Sequence, residues 1–520
     1  MANAARTTRG KDWRDVIAHL VTWTILALEW QEVMPRIAVR ILIDPGSYHC
    51  GNVGDLAMLQ AATERLRDRW PDASIFVVTS APAALQRHCP GVLPVPLAGR
   101  IAFGTDRFFG RIDGLLPTRL SDSLATAERH VRHRWPRPLA RVIAIKRAMA
   151  GRADSGAPRA YVDALRRADL VVVTGAGIFT DAFADNAAGV MSTLEFAAEW
   201  KIPTAVFGQG FGPVADETLR RHMARVLPRV DFIAVREERE SVRLLDAVGV
   251  QRNRITVTGD DAIEMANRCT PAELGGAIGV NIRVASFAGV TGAAIDVIGP
   301  ALHAAAARFD TALLPVPIAH HTDRSDVDAI QHVIDGDSNR ASSMVESEAP
   351  AMAESEAPAT IMAQVARCRI VVTGSYHAAV FALAQGIPAV AIVGSQYYRD
   401  KFSGLADLFA GGCEVVDIET PNLGEALAHK VERAWVHAER WREPLLRAAR
   451  MQIERGKAAY SHLGTIVDAR RAASRSRVHR LAPASGSGRD ARSDPRLRRD
   501  AGPAVQPSGL QRKTTIRQTR

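Results

Sequence analysis

The chain has 520 residues, 47% of them hydrophobic, and a formal net charge of +10; the length predicts about two or three domains and the composition is ordinary for a folded soluble protein. The charge is not a nucleic-acid signature once it is localised, because Ser474–Arg520 holds 12 Lys/Arg against 3 Asp/Glu and leaves about +1 for everything before it. The five cysteines (Cys50, Cys89, Cys269, Cys368, Cys413) are scattered and never form a C-x-x-C pair, which argues against a disulfide framework or zinc cluster and fits a reducing cytoplasm.

In chain order, residues 1–36 come first. The spacing of Ile17, Leu20, Trp23, Ile25 and Leu28 predicts an amphipathic helix packed on the body. That stretch is too short for a membrane span and lacks a small-residue cleavage site after it; attachment to a membrane surface is its second reading. An N-terminal α/β half is expected over 37–270. It opens with a strand at Ile37–Ile43, a turn at Asp44–Asp55, a helix from Leu56 to Trp70 and a strand at Ser74–Thr79. An Arg- and Pro-rich stretch, Arg100–Arg159, reads as an insertion of helices and loops. Strand signals resume at Leu170–Thr174, Thr204–Gly208, Phe232–Val235 and Ile255–Val257, with helices at Asp216–Leu227 and Glu238–Ala247 between them.

The pattern lapses at Cys269–Gly276, which is the expected hinge. A C-terminal half over 275–465 follows, with strands at Ala277–Ile282, Thr311–Val316, Ile370–Thr373 and Ala389–Val393. A tandem Glu-Ser-Glu-Ala-Pro-Ala at Glu346–Ala351 and Glu354–Ala359 predicts an acidic surface loop over 346–359. The basic tail, 474–520, has too few apolar residues to bury a core and is predicted to be disordered; no nucleic-acid partner is expected.

Two segments share one layout. Leu170–Ile178 with Glu195–Gly208, and Val371–Ile392, each run apolar strand, Thr-Gly turn, helix, Ile-Pro, apolar strand. The fold class expected is therefore α/β, with two Rossmann-like parallel-sheet domains facing a cleft and ligands held at strand C-terminal ends. His377 then stands at the cleft mouth, at a helix N-terminus. Arg236, Asp261 and the residues around Gly51–Asp55 also fall just past strands.

The ordered motifs Gly46–Asp55, Thr174-Gly-Ala-Gly177, Gly208–Gly212, Val235–Ser241, Thr258-Gly-Asp-Asp261 and the strand–His–helix block at His377 together resemble the polysaccharide pyruvyl transferase family over about Ile37–Val393. The resemblance implies a GT-B-like arrangement. It also implies transfer of pyruvate from phosphoenolpyruvate, a co-substrate with no other cofactor, onto a saccharide acceptor as a cyclic ketal. The acceptor would be nucleotide- or lipid-linked, in envelope or exopolysaccharide synthesis, in the cytoplasm or at the inner membrane face. That chemistry needs an acid, a base and donors for a phosphate and a carboxylate.

His377 aligns with the histidine of the family's Arg-Leu-His triplet and is the expected acid/base; a turn-capping histidine is the bland alternative. The triplet's other positions are Ser375 and Tyr376, so a guanidinium is missing, and Lys401 or Arg399 is the candidate replacement. Arg236 is the expected carboxylate ligand, against an ion pair with Glu237 or Glu240. Gly51, Asn52, Gly54 and Asp55 form a tight turn toward a ligand, with Asp55 either binding sugar or capping the helix. Gly175 and Gly177 are too short a motif for a dinucleotide site. His320, His321 and Arg324 make a cleft loop in which no metal site is expected. Asp261 is placed on an acceptor hydroxyl or as a cap. The alternatives are a glycosyltransferase using a nucleotide-sugar, favoured by Ser375, and a non-catalytic saccharide-binding relative.

Overall fold

The computed structural model describes residues 38–106, 118–284, 288–320, 326–335 and 357–481. The helix expected within 1–36, most of the 346–359 repeat and the tail beyond Leu481 lie outside them. Seven parallel strands make the first sheet: β1 Arg40–Asp44, β2 Ser74–Thr79, β3 Leu93–Pro96, β4 Leu170–Val173, β5 Thr204–Gln209, β6 Phe232–Val235 and β7 Ile255–Val257, in the order β3-β2-β1-β4-β5-β6-β7. Five more make the second: β8 Ala277–Asn281, β9 Leu313–Pro315, β10 Cys368–Thr373, β11 Ala389–Val393 and β12 Cys413–Asp417, in the order β12-β11-β10-β8-β9. Two parallel-sheet α/β domains are thus present, as the repeated layout implied.

Both faces of each sheet are covered, which is why the strands read as unbroken apolar runs rather than alternating ones. Ile41, Ile43 and Val172 face the helix Val53–Arg69, while Leu42, Val78 and Val171 face Phe103 and Ile143 of the Arg100–Arg159 region and Tyr161 and Leu165 just after it. That region is largely helical in its described part, with helices at Thr118–Arg134 and Pro136–Met149 and the start of a third, Ala157–Arg167, that runs on beyond it.

Two features join the halves. Val53, Ala57 and Met58 of the first helix share a core with Val316, Ile318, Tyr376 and Ala379 of the second half. Beside them, Asn52 pairs with Ala319 in an antiparallel bridge, the Val53 N–H donates to the Ile318 carbonyl at 2.9 Å, and the His320 N–H donates to the Gly51 carbonyl at 2.8 Å. The last helix, Leu423–Leu481, then returns to the first half. Its residues Leu427, Val431, Ala434 and Ala438 lie in the second half's core, Leu445, Ala449 and Ile453 in the shared core, and Tyr460, Leu463 and Val467 against the first sheet. The 3.6-residue period of these positions keeps one stripe inward along the helix. The compact body runs to Ala472, and the helix continues to Leu481, so the first eight residues of the tail expected to be disordered are helical. No described helix is long and apolar enough to cross a membrane.

Candidate active site

The strand C-terminal ends of both sheets supply the site. β6 ends at Val235, and Arg236 directly after it is turned into the junction of the halves, 1% exposed. Its Nη1 stands 3.6 Å from Asp260 Oδ2, and its guanidinium lies 4.5 Å from the Tyr376 ring centre. Among the described residues its Nε and Nη1 make no hydrogen bond. Two glycines make room for it. A Cβ at position 177 would fall 2.2 Å from Nη2, and one at position 210 would fall 2.9 Å from Nε.

β10 delivers the histidine. Thr373 Oγ1 accepts from the Ser375 N–H at 2.8 Å and donates to the Ser375 carbonyl at 3.0 Å, which folds the turn into the helix Tyr376–Ala384. His377 is buried at the second position of that helix. Its ring rests on Gly54 of the first helix, where a Cβ would come within 1.9 Å of the imidazole Cγ. His377 Nε2 lies 3.7 Å from Asp260 Oδ2. That is too long for a hydrogen bond, and among the described residues neither atom makes one.

Lys401 comes from the helix Gln396–Leu408 beyond β11. Its Nζ donates to Tyr397 Oη at 3.1 Å, and that hydroxyl donates to the Gly177 carbonyl at 3.2 Å. The ammonium also sits 4.9 Å, 5.0 Å and 5.5 Å from the ring centres of Tyr376, Tyr397 and Tyr398. Arg283, just past β8, holds Asp326 at 2.8 Å and adds a further positive charge facing the imidazole.

Burial sets the ionisation of this cluster, because a charge in a dry site loses its hydration. Burial first, and then the field of Arg236, Lys401 and Arg283, holds His377 well below the usual imidazole range. Lys401 is likewise held well below the usual lysine range, by burial and then by Arg236. Burial pushes Asp55 and Asp260 up to about 6, against the opposing pull of the cations. The site thus combines a neutral imidazole, two carboxyls that titrate near neutrality, and an Arg236 guanidinium whose Nε and Nη1 make no hydrogen bond among the described residues. Such a set can hold a small dianion and move protons beside it.

Several expected residues take other places. The first helix begins at Val53, not Leu56, and Asn52 is its cap, accepting from the N–H groups of Gly54 at 2.9 Å and Asp55 at 3.1 Å. Asp55 therefore does not cap; it lies in the first turn, within the field of Lys401 and Arg236. Gly51 serves the bridge to His320. Asp261 is not at the site: Arg65 Nη1 holds it at 2.7 Å and the Tyr460 hydroxyl donates to it at 2.9 Å. Its neighbour Asp260 takes the position instead. Gly175 admits Met58 and the Gly208 carbonyl, a packing role away from the cations. Glu237 accepts from the Ser241 and Glu240 N–H groups, so the carboxylate beside Arg236 is neither Glu237 nor Glu240. Arg399 pairs with Asp417 and Glu419, which leaves Lys401 as the cation near the Ser375 turn. The half-buried His320 lies beside Asn52, while His321 and Arg324 lie outside the described residues.

Asp260, Arg283 and Tyr397 are the site residues that sequence reading missed. Asp260 and Arg283 each stand within three residues of a strand end, the same signal that singled out Arg236. In Thr258-Gly-Asp-Asp261 that signal does not say which carboxylate turns inward. Tyr397 has no signal of its own, since it reaches the site only through the helix that also carries Lys401.

The family described as polysaccharide pyruvyl transferase matches residues 52–396. No curated protein matches the chain. Among solved structures, a glycosyltransferase from Rickettsia africae is similar at 10% identity and a TM-score of 0.45, over 83% of this chain and 99% of its own. A UDP-GlcNAc 2-epimerase from Neisseria meningitidis, bound to UDP-GlcNAc, is similar at 12% identity and a TM-score of 0.43, over 80% of this chain and 99% of its own.

Proposed function

The chain belongs to the polysaccharide pyruvyl transferase family and is a saccharide-modifying transferase; from that premise we propose that it moves pyruvate from phosphoenolpyruvate onto two hydroxyls of a saccharide as a ketal. The observation that carries this reading is the buried pair Arg236 and Lys401 beside His377, with guanidinium N–H groups left without partners. A donor with one carboxylate and one phosphate supplies what such a site lacks. Arg236 is suited to the carboxylate, and Lys401 replaces the charge that Ser375 does not bring.

In this reading the donor's own charge activates the acid. Burial and then the neighbouring cations hold His377 neutral; a bound polyanion offsets the cations' share, so the imidazole takes up a proton more readily with the donor in place. His377 then protonates the donor's methylene carbon, which becomes the methyl group. One acceptor hydroxyl adds to the oxocarbenium-like carbon, phosphate leaves with its bridging oxygen, and the second hydroxyl closes the ketal. Of the two hydroxyl protons, one replaces the proton that His377 delivered to carbon and the other leaves with phosphate. Asp260 is the base nearest to that proton traffic. We place the acceptor among nucleotide- or lipid-linked saccharides of envelope polymer synthesis, with the enzyme on the cytoplasmic side.

A thermal-melting series with phosphoenolpyruvate and a set of nucleotide-sugars tests the donor. Phosphoenolpyruvate at 100 times its Kd adds about 2.7 kcal/mol, and that increment should vanish in Arg236→Gln and shrink in Lys401→Met. Stabilisation by a nucleotide-sugar alone would move the protein to glycosyl transfer in the same cleft.

A further inference from the structure

The helix Pro136–Met149 carries apolar side chains on two faces. Ala140, Ile143 and Ala144 are buried, and the first two pack with Phe103, Tyr161 and Leu165. On the opposite side Val142, Ile145 and Met149 lie at i, i+3 and i+7, one stripe of the helix. They are 48%, 60% and 85% exposed, and Trp135 at the N-cap is 54% exposed. Nine large hydrophobic side chains are exposed among the described residues, and four of them gather on this one element, which scattered surface exposure does not produce.

The charge carried by the helix and its flanks has one sign, although Asp154 and Asp163 reach it from the segment that follows. Residues 134–152 contain six Lys/Arg and no Asp/Glu. Arg134, Arg141 and Lys146 are exposed along this segment, while Arg137 pairs with Asp163 at 3.3 Å and Arg147 is drawn inward to Asp154 at 2.6 Å. An exposed tryptophan, an aliphatic stripe and a basic border are the parts of an interfacial helix, in which apolar side chains enter the acyl boundary and cations meet lipid phosphates. A second copy of the chain is a poor occupant, since it would bring two arginine borders together. We propose that this face is the enzyme's docking surface for an anionic lipid bilayer. It is distinct from the residue 1–36 region and from the basic tail, and it does not depend on the identity of the donor.

Flotation of the full chain with vesicles tests this. The wild type should bind phosphatidylcholine–phosphatidylglycerol vesicles and bind phosphatidylcholine vesicles only weakly, because the cations need lipid charge. Val142→Ser/Ile145→Ser/Met149→Ser should lower the affinity for the anionic vesicles by about 10-fold or more with an unchanged circular dichroism spectrum, whereas leucine at the same three positions should retain it. Arg134→Gln/Arg141→Gln should weaken it further at low salt. Equal binding by the serine variant would assign any membrane attachment to another segment and overturn the proposal. So would a wild type that ignores vesicles, or a serine variant whose only defects are lost self-association or a lower Tm.

Discussion

At the scale of single residues, the chemistry turns on Arg236, Asp260, His377 and Lys401 and on how burial sets their charge. His377→Ala should lower kcat by roughly 100-fold or more if the imidazole delivers the proton; turnover within a few-fold of wild type would remove it from the mechanism. The carboxyl of Asp260, raised to about 6, must be ionised to act as a base, so kcat/KM should fall as the pH drops through that value. It titrates beside Asp55, so the acid limb reports the pair. Asp260→Asn should displace or abolish that limb, and an unaltered profile would count against its role.

Donor binding should carry a pH signature of its own. Lys401, depressed by burial and by Arg236, loses its charge closer to neutrality than an ordinary lysine, so affinity for phosphoenolpyruvate should decline as the pH rises. Calorimetry in two buffers of different ionisation enthalpy should show proton uptake at neutral pH. Binding without proton uptake would contradict the activation of His377 by the donor.

At the scale of elements, the two helix starts that meet at the site are the sensitive parts. Glycine inside a helix ordinarily gives way to alanine with a gain of about 0.5–1 kcal/mol. At Gly54 the sign should reverse, because the new Cβ would fall 1.9 Å from the His377 ring. Gly54→Ala is therefore expected to lower both Tm and activity, as read by melting and turnover. A more stable, active variant would show that the ring has room to move. The same region marks the limits of sequence reading. The turn from β1 was legible from its glycines, but which residue caps was not. Asn52 takes that part because the chain enters the helix one turn earlier than the apolar period suggests, and this frees Asp55 for the site. β3 and β12 were not legible: Leu-Pro-Val-Pro and Cys-Glu-Val-Val-Asp are short edge strands whose prolines and charges mask the apolar signal.

At the scale of the whole molecule, the repeated strand–turn–helix layout made the two parallel-sheet domains legible, since buried parallel strands write themselves as apolar runs. The crossing helix did not announce its destination. Its stripe says only that one face is buried, and the surface it meets is fixed by tertiary packing. Tyr460 stacks on Phe207 at 3.9 Å while Leu463 and Val467 are fully buried, and each such side chain contributes roughly 1.5–3 kcal/mol. Truncation after Lys457 should therefore unfold the protein or lower its Tm severely, whereas truncation after Ala472 should leave the fold and soluble-substrate turnover intact. Equal melting of the two truncations would show that the returning segment adds nothing.

The proposed reaction needs a pyruvyl donor held by Arg236 and Lys401 beside His377. Its most direct test is transfer of carbon-labelled pyruvate from phosphoenolpyruvate into a saccharide acceptor, with inorganic phosphate counted alongside. Label should appear in the saccharide with one phosphate released per pyruvyl group, both lost in Arg236→Gln and in His377→Ala. Acceptor modified from a nucleotide-sugar, with no label taken from phosphoenolpyruvate, would contradict it.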